Sequence, residues 1–388
     1  MSQQTLRIAK IECLALEARF DEMFDEVPDW LVHPASSHRV LPRRGQYATV
    51  VRVYAEDGTV GVGEAYGLPA PQVTATCVAT VLAPLLVGAD ALATTALWQR
   101  MYQAQAAGGH NRGFFLEAVA GVDQALWDLR GKVLGQPVYR LLGGPVRERI
   151  DCYASPVPLL ADPADSARRA QAYVADGFRA VKVKIGRGQR IDGAHLRAVR
   201  DAVGAGIDVL VDANCAYQLD EATRIGYLLR DLGIDWYEEP LPVDDLAGLA
   251  ELRRRTGLTI VNGETHFTRF DVRDSLRLGA IDVVMPNLAR CGGITETIRI
   301  AALASAFHVD IAPHGVGSAI NMHAALAVMA ATPNLRVYEY NRLPNPLRDA
   351  LSIDRPAFRD GQLSVPDRPG LGLRLDDGVV DRYLIGTY

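Results

Sequence analysis

Between Ile150 and Tyr340 the chain keeps one texture: short apolar runs rich in β-branched residues alternate with stretches of helical period. The runs are Ile150–Ala154, Ala180–Ile185, Val209–Asn214, Asp235–Glu239, Thr259–Glu264, Asp282–Asn287, Asp310–His314 and Arg336–Tyr340. Their starts lie roughly 22–30 residues apart, the length of one strand–helix unit. Eight such units in about 190 residues predict an α/β fold closed into a (β/α)8-type barrel rather than an open sheet. No helix of comparable length is expected after the last run. Leu343–Tyr388, rich in proline and glycine, is expected to leave the barrel and pack against the N-terminal part.

The preceding third reads as α+β. Leu6–Leu16 and Ala48–Ala55 alternate as strands do, and Glu56-Asp57-Gly58-Thr59 suits a hairpin because Asp-Gly tolerates the positive φ of such turns. Phe114–Leu134 has helical period and stops at Gly135-Gln136-Pro137. Between the strands, Arg19–Gly45 is long, polar and irregular, as functional or disordered loops are. The expected division is a capping domain over 1–135, a barrel over 136–342 and a returning segment over 343–388. A chain of 388 residues, 49% hydrophobic, buries a large core. A formal charge of −5 and no basic stripe argue against nucleic-acid partners. No run has the length of a membrane span, and Met1–Lys10 lacks a basic segment followed by an apolar one, so a soluble, cytoplasmic protein is expected. Cys13, Cys77, Cys152, Cys215 and Cys291 form no CxxC pair, which indicates neither a disulfide framework nor a zinc site.

In a barrel, the C-terminal ends of the strands aim their last side chains into the site. Asp212, Glu238 and Glu264 end three successive strands, 26 residues apart each time. Three converging carboxylates repel one another unless a divalent cation neutralises them, and an all-oxygen set favours Mg²⁺ or Mn²⁺ over zinc. Glu238 and Glu239 face opposite ways by strand alternation, so one of them is a ligand. Lys182 and Lys184 share a face of the second strand. Each ammonium disfavours the charged form of its neighbour, which makes one of them, nearer the rim Lys184, a better base. His314 ends the seventh strand, across the barrel from the lysines, and Glu339 lies on the eighth, where it would either donate a hydrogen bond as the protonated acid or serve in a salt bridge. The glycine pairs at Gly61/Gly63 and Gly292/Gly293 form neither GxGxxG nor a P-loop and read as turn glycines.

These residues, with Asp57–Ala65, Asp123–Lys132, Trp236–Pro240 and Cys291–Thr295, resemble the mandelate racemase / muconate lactonizing enzyme group of the enolase superfamily. The resemblance covers essentially the whole chain. It implies a modified TIM barrel, (β/α)7β, with an N-terminal α+β capping domain that the C-terminal segment completes. It further implies that Asp212, Glu238 and Glu264 bind one Mg²⁺ per subunit, that Lys184 and His314 are the two acid/base groups, and that Glu339 is an electrophilic carboxylic acid. The chemistry is abstraction of the proton α to a carboxylate, giving an enediolate that a bound cation stabilises. At the sixth strand end the sequence departs from the pattern, with Asn287 where racemase-like members have an Asp that pairs with the histidine. An amide orients an imidazole but does not stabilise imidazolium as a carboxylate does. The expectation is that the Asn287 oxygen accepts from one ring nitrogen and that His314 serves as an acid toward a leaving group.

Pro344–Arg348 and Val365–Gly372 are similar to acid-sugar members, sugar-acid dehydratases and galactarolactone cycloisomerase-like proteins among them. The expected reaction is therefore hydro-lyase dehydration of an aldonate or aldarate to a 2-keto-3-deoxy acid. Lactone cycloisomerisation and racemisation or epimerisation are the alternatives, and a catalytically silent metabolite-binding barrel is the alternative of another class. Asn214, with His33, His38, Arg39, Arg43 and Arg44 of the long loop, is expected to contact a small carboxylate substrate. A homo-oligomer is expected, and no dinucleotide fingerprint supports a nicotinamide enzyme.

Overall fold

The computed structural model describes residues 6–33 and 41–388, so that His38 and Arg39 lie outside the described residues. Three antiparallel strands open the chain: β1 (Ile8–Arg19), β2 (Gly45–Ala55) and β3 (Val60–Ala65). The β2–β3 turn is the expected Asp-Gly hairpin, with Gly58 at φ +85°. The helix Phe114–Val133 packs across β2 and β3. Gly61 and Gly63 are not turn glycines: they lie within β3, where an added Cβ would collide with the Ala125 and Gly121 carbonyl oxygens of that helix. The helix settles this close to the sheet because those two positions carry no side chain.

Eight parallel strands follow: β4 (Arg149–Val157), β5 (Ala180–Lys184), β6 (Asp208–Asp212), β7 (Trp236–Glu238), β8 (Thr259–Asn262), β9 (Val283–Val284), β10 (Asp310–Ile311) and β11 (Tyr338–Asn341). They pair in chain order from β4 to β10, β11 pairs with β4, and a parallel bridge between Ile311 and Leu335 closes the ring. Each expected run overlaps one strand. Most ladders end earlier than expected, because the chain turns out over the rim; Asn214, Cys215 and Glu239, just past β6 and β7, take left-handed φ values of 42°, 61° and 42°. Non-glycine residues in that region are strained by about 1–3 kcal/mol each and concentrate at functional sites.

Seven helices, Pro163–Ala175, Gln189–Val203, Leu219–Asp231, Leu246–Thr256, Thr268–Arg277, Gly293–Ala306 and Ala319–Ala331, follow β4 to β10. Among the described residues only the short helices Pro346–Asp349 and Asp377–Tyr383 come after β11, which gives the (β/α)7β arrangement. Inside the ring, Tyr153, Leu210, Trp236, Val261, Val283, Met285 and Ala312 form a separate apolar plug. It fills the barrel below the polar strand ends. The C-terminal segment touches both halves: β12 (Phe358–Arg359) and β13 (Gln362–Ser364) form a hairpin whose second strand pairs with the start of β4, and β14 (Leu384–Thr387) joins the cap sheet in the order β14-β1-β2-β3. Among the described residues no helix is long and apolar enough to cross a membrane.

Buried carboxylates fasten the cap to the barrel. Asp123 accepts from the Thr295 amide at 2.9 Å and hydroxyl at 2.6 Å, at the start of helix Gly293–Ala306. Asp128 accepts from the amides of Val62 and Leu371, each at 2.8 Å. Glu64, at the end of β3, accepts from the Ser318 and Asn321 amides at 2.9 and 3.0 Å and caps helix Ala319–Ala331. Helix N-termini present such orphan amides to a carboxylate. Burial nonetheless pushes the Glu64 carboxyl up to about 7, against the pull of the Ser318 and Asn321 donors. The folded chain therefore keeps a proton on Glu64 between about pH 4.5 and 7 that the unfolded chain has lost. That contribution to stability is fully present below the lower value and is lost as pH rises through the upper one. From about pH 5 to about pH 8, the unfolding free energy of the unaltered chain measured against Glu64→Gln should fall by about 1–3 kcal/mol. Urea titrations at both pH values test this, and a pH-independent difference would contradict it.

Candidate active site

Alternate residues of a strand face the same way, so the positions that continue the interior plug upward also face the barrel axis. From Ala180 these are Lys182 and Lys184; from Leu210, Asp212; from Trp236, Glu238; from Met285, Asn287; from Ala312, His314; and from Val337, Glu339. Glu264 joins them by another route. Gly263, at φ +132°, breaks the alternation after β8 and swings the next side chain inward; a Cβ there would sit 2.9 Å from the Met285 amide nitrogen. Asp212, Glu238 and Glu264 each offer a carboxylate oxygen to a cluster whose atoms lie within 4.8 Å of one another. Glu239 is not part of this cluster: it lines the adjoining cavity wall, its Oε1 accepting from the Thr265 hydroxyl at 3.3 Å.

Lys182 is fully buried beneath the cluster. Its Nζ lies 2.7 Å from Glu238, 2.9 Å from Glu339 and 3.5 Å from Asp212. Lys184, nearer the rim, donates to Asp212 and, at 2.9 Å, to the Asn214 side-chain oxygen. Burial works to lower the Lys184 ammonium and Lys182 adds to that, but Asp212, Glu264 and Glu238 together outweigh them, and its pKa lies above the ordinary lysine value. The downward influence expected of Lys182 is present, and it does not decide the direction. Only carboxylates raise Lys184.

Burial, and after it the Asp212 carboxylate, push Glu238 well above the ordinary carboxylate range, with Lys182 opposing. The four acids Asp212, Glu238, Glu264 and Glu339 face only two ammonium groups. Glu264 Oε2 is buried and, among the described residues, accepts no well-aligned hydrogen bond, with His314 Nε2 3.1 Å away. A hard divalent cation among these oxygens would relieve both the repulsion and the orphaned atom, so the donor set fits Mg²⁺.

His314 stands on the far flank, its Nε2 3.1 Å from Glu264 and 3.6 Å from Glu339. Burial holds its pKa below the ordinary histidine value, while the two carboxylates pull it up. Its Nδ1 lies 2.9 Å from the Asn287 amide nitrogen. This corrects the expected hydrogen bond. The Asn287 oxygen is taken by the Ala289 amide at 2.9 Å, and its nitrogen also donates to the Val316 carbonyl at 2.9 Å, so the amide presents N–H to the ring. Nδ1 is then the acceptor, and the neutral ring carries its proton on Nε2. Glu339 is also corrected. Burial raises it, but Lys182 above all, then His314, Lys184 and the Gly315 amide, hold it well below the ordinary range. Its surroundings therefore favour the carboxylate over the expected carboxylic acid.

Above these groups lies a cavity of about 400 Å³ lined by Lys184, Asn214, Glu264, His314 and Glu339. Arg43 of the long loop also lines it. Arg44 lines a separate depression with Glu17 and Tyr47, and His33 lies 4.0 Å from Asp29, so neither reaches this cavity. Among the lining residues that sequence reasoning missed are Tyr66, Ser155, Arg290 and Asn341. Ser155 and Asn341 are register partners at the ends of β4 and β11, and the strand-end rule extended to those two strands would have found them.

The comparisons with known proteins agree over both halves of the chain. Residues 28–143 match the family described as mandelate racemase / muconate lactonizing enzyme, N-terminal domain, and residues 165–379 match enolase C-terminal domain-like. The D-galactarolactone cycloisomerase of Agrobacterium fabrum is 33% identical over 385 residues, covering 96% of this chain and 97% of that protein. The arabinonate dehydratase of Saccharolobus solfataricus is 36% identical over 336 residues, covering 85% and 89%. A racemase from Streptomyces coelicolor A3(2), solved with bound magnesium, superposes with a TM-score of 0.87 at 30% identity, covering 97% of this chain and all of that one. Cap and barrel together, the chain belongs to the mandelate racemase / muconate lactonizing enzyme family of the enolase superfamily.

Proposed function

We propose that this chain is a Mg²⁺-dependent hydro-lyase that takes the proton α to the carboxylate of a sugar acid and expels the β-hydroxyl, giving a 2-keto-3-deoxy acid. One observation carries the reading: the Asp212/Glu238/Glu264 cluster is flanked by Lys184 on one side and His314 on the other. A divalent cation held by the three carboxylates would supply the positive charge that a substrate carboxylate needs when its α-proton leaves. Lys184, on the open side of the cluster, would take that proton at Nζ as the free amine, which a cation on Asp212 favours by offsetting the carboxylate that holds its ammonium. Lys182 is the fixed counter-charge that pairs with Glu238 and Glu339 and holds both in place. His314 offers Nε2–H to the departing hydroxyl, and Glu339, through the Gly315 amide at 2.9 Å, steadies the loop that carries it. The product enol then becomes the ketone.

Lactone cycloisomerisation is the second reading, favoured by the likeness to the Agrobacterium fabrum cycloisomerase over 96% of the chain. It begins with the same proton abstraction and replaces the hydroxyl by a ring oxygen. The two separate in one experiment: a panel of aldonates, aldarates and their lactones, incubated with enzyme and Mg²⁺ in D₂O and followed by NMR. α-Deuteration with release of a 2-keto acid is the expected result. A rearranged lactone without 2-keto acid favours the second reading. Absence of exchange on every acid overturns both and leaves a metabolite-binding barrel.

A further inference from the structure

Every carboxylate that lines the cavity lies at the barrel mouth, whereas its cap side is cationic. Arg43 enters there from the cap loop, tied by its amide to the Val32 carbonyl at 2.8 Å. Arg290 enters from the loop after β9. Its Nε donates to Glu117 at 3.0 Å and its Nη1 to the Glu264 carbonyl at 3.3 Å. Its guanidinium carbon lies over the Tyr66 ring, 4.1 Å from the centroid. The plane is thus held on three sides, by an ion pair, a carbonyl and an aromatic face. Among the described residues Nη2 has no protein partner, and the side chain keeps 19% of its surface exposed. Arg43 makes no ion pair among the described residues. Both guanidinium groups are close enough to Tyr66 to pull its phenol down against the upward push of burial. Two arginines and a phenol on one wall, opposite the groups that take the reacting carboxylate, are a recognition surface for a second anion.

We propose that Arg43, Arg290 and Tyr66 form a second anion subsite that takes the distal carboxylate of a dicarboxylic sugar acid. This rests on the proton-abstraction reading above and narrows its substrate class from sugar acids in general to the aldarate type. A planar fork already fixed by Glu117 and Tyr66 gives up little freedom on binding a carboxylate, and charge-assisted pairs of this kind are the strong ones. The enzyme is expected to process a dicarboxylic acid with kcat/KM at least about tenfold above that of the monocarboxylic acid of the same configuration, because loss of one such pair is worth a factor of ten or more.

The test is the ratio of kcat/KM for the two acid classes, measured on the unaltered enzyme, on Arg43→Gln and on Arg290→Lys. The lysine variant preserves the charge beside Glu117, so it is expected to fold. Both variants should reduce the diacid-to-monoacid ratio by at least about tenfold. An arginine that serves only to join cap and barrel would lower both acids alike and leave the ratio unmoved, which overturns the subsite. Equal turnover of both classes by the unaltered enzyme overturns it too, while leaving proton abstraction standing. If no acid of either class exchanges its α-proton, the proposed function fails, and the subsite fails with it.

Discussion

Removing divalent cations completely should abolish α-proton exchange and turnover, and added Mg²⁺ should restore both. The argument is one of charge. Asp212 and Glu238 are fully buried, Glu264 is partly buried, and burial alone opposes three ionised carboxylates within 4.8 Å of one another. Lys182 and Lys184 offset part of that repulsion, and a fourth acid, Glu339, competes for Lys182. The α-proton of a carboxylate leaves only if the second negative charge is neutralised where it forms, and two ammonium groups already engaged do not provide that. Glu238→Gln should therefore lose Mg²⁺ affinity and at least about 10³-fold in exchange rate, the size of a lost electrostatic stabiliser in a water-excluded site. Glu239→Gln, whose side chain turns to Thr265, should keep the cation. Calorimetric titration with Mg²⁺ reads binding directly. Full activity in stripped protein, or Mg²⁺ retained by Glu238→Gln and lost by Glu239→Gln, would overturn the ligand assignment.

How far the sequence could reach is clear at individual residues. Asp212, Glu238, His314 and Glu339 were legible because strand parity and position at the rim are both sequence properties: each lies two residues beyond an apolar residue of the interior plug. Glu264 was found by spacing but not by parity. Counted from Val261, which faces the interior, it should point outward with Ile260, and only the left-handed turn at Gly263 brings it in. Asn287 was identified, but not its orientation, because the Ala289 amide and the Val316 carbonyl set that, and neither contact is visible in composition or period. The ionised state of Glu339 depends on how deeply Lys182 is buried beside it, which two lysines on one strand do not reveal. Tyr66 comes from the cap, and no rule about barrel strands points to a residue beyond them. Arg44 and Arg43 are adjacent in the sequence and diverge into different cavities, because the loop runs along the cavity wall and presents neighbouring side chains to opposite sides.

The orientation of Asn287 leads to a division of labour between the two candidate acid/base groups. With Nδ1 accepting from the amide, His314 meets the cavity with an N–H, and a ring protonated on both nitrogens would set Nδ1–H against the amide N–H. The neutral ring, with its N–H toward the cavity, hydrogen-bonds a leaving group and does not take a proton from carbon. Lys184, with its own carboxylate and amide partners across the site, is then the base. Lys184→Met should abolish α-proton exchange and product formation together, by about 10³-fold or more, near the upper part of what a positioned base contributes. His314→Asn should cut product formation by about 10²–10⁴-fold and leave exchange by Lys184 within about tenfold of the unaltered rate. Asn287→Asp should reverse the ring. One oxygen still accepts from the Ala289 amide, the other now requires a proton on Nδ1, and the Val316 carbonyl keeps its donor in the Asn321 side chain at 3.1 Å. Nε2 would then face the substrate as an acceptor, and epimerisation at the α-carbon should appear at the expense of dehydration. Deuterium incorporation and product configuration, read together by NMR, decide it. If His314→Asn abolishes exchange while Lys184→Met preserves it, the histidine is the base, and the α-carbon of the true substrate has the opposite configuration.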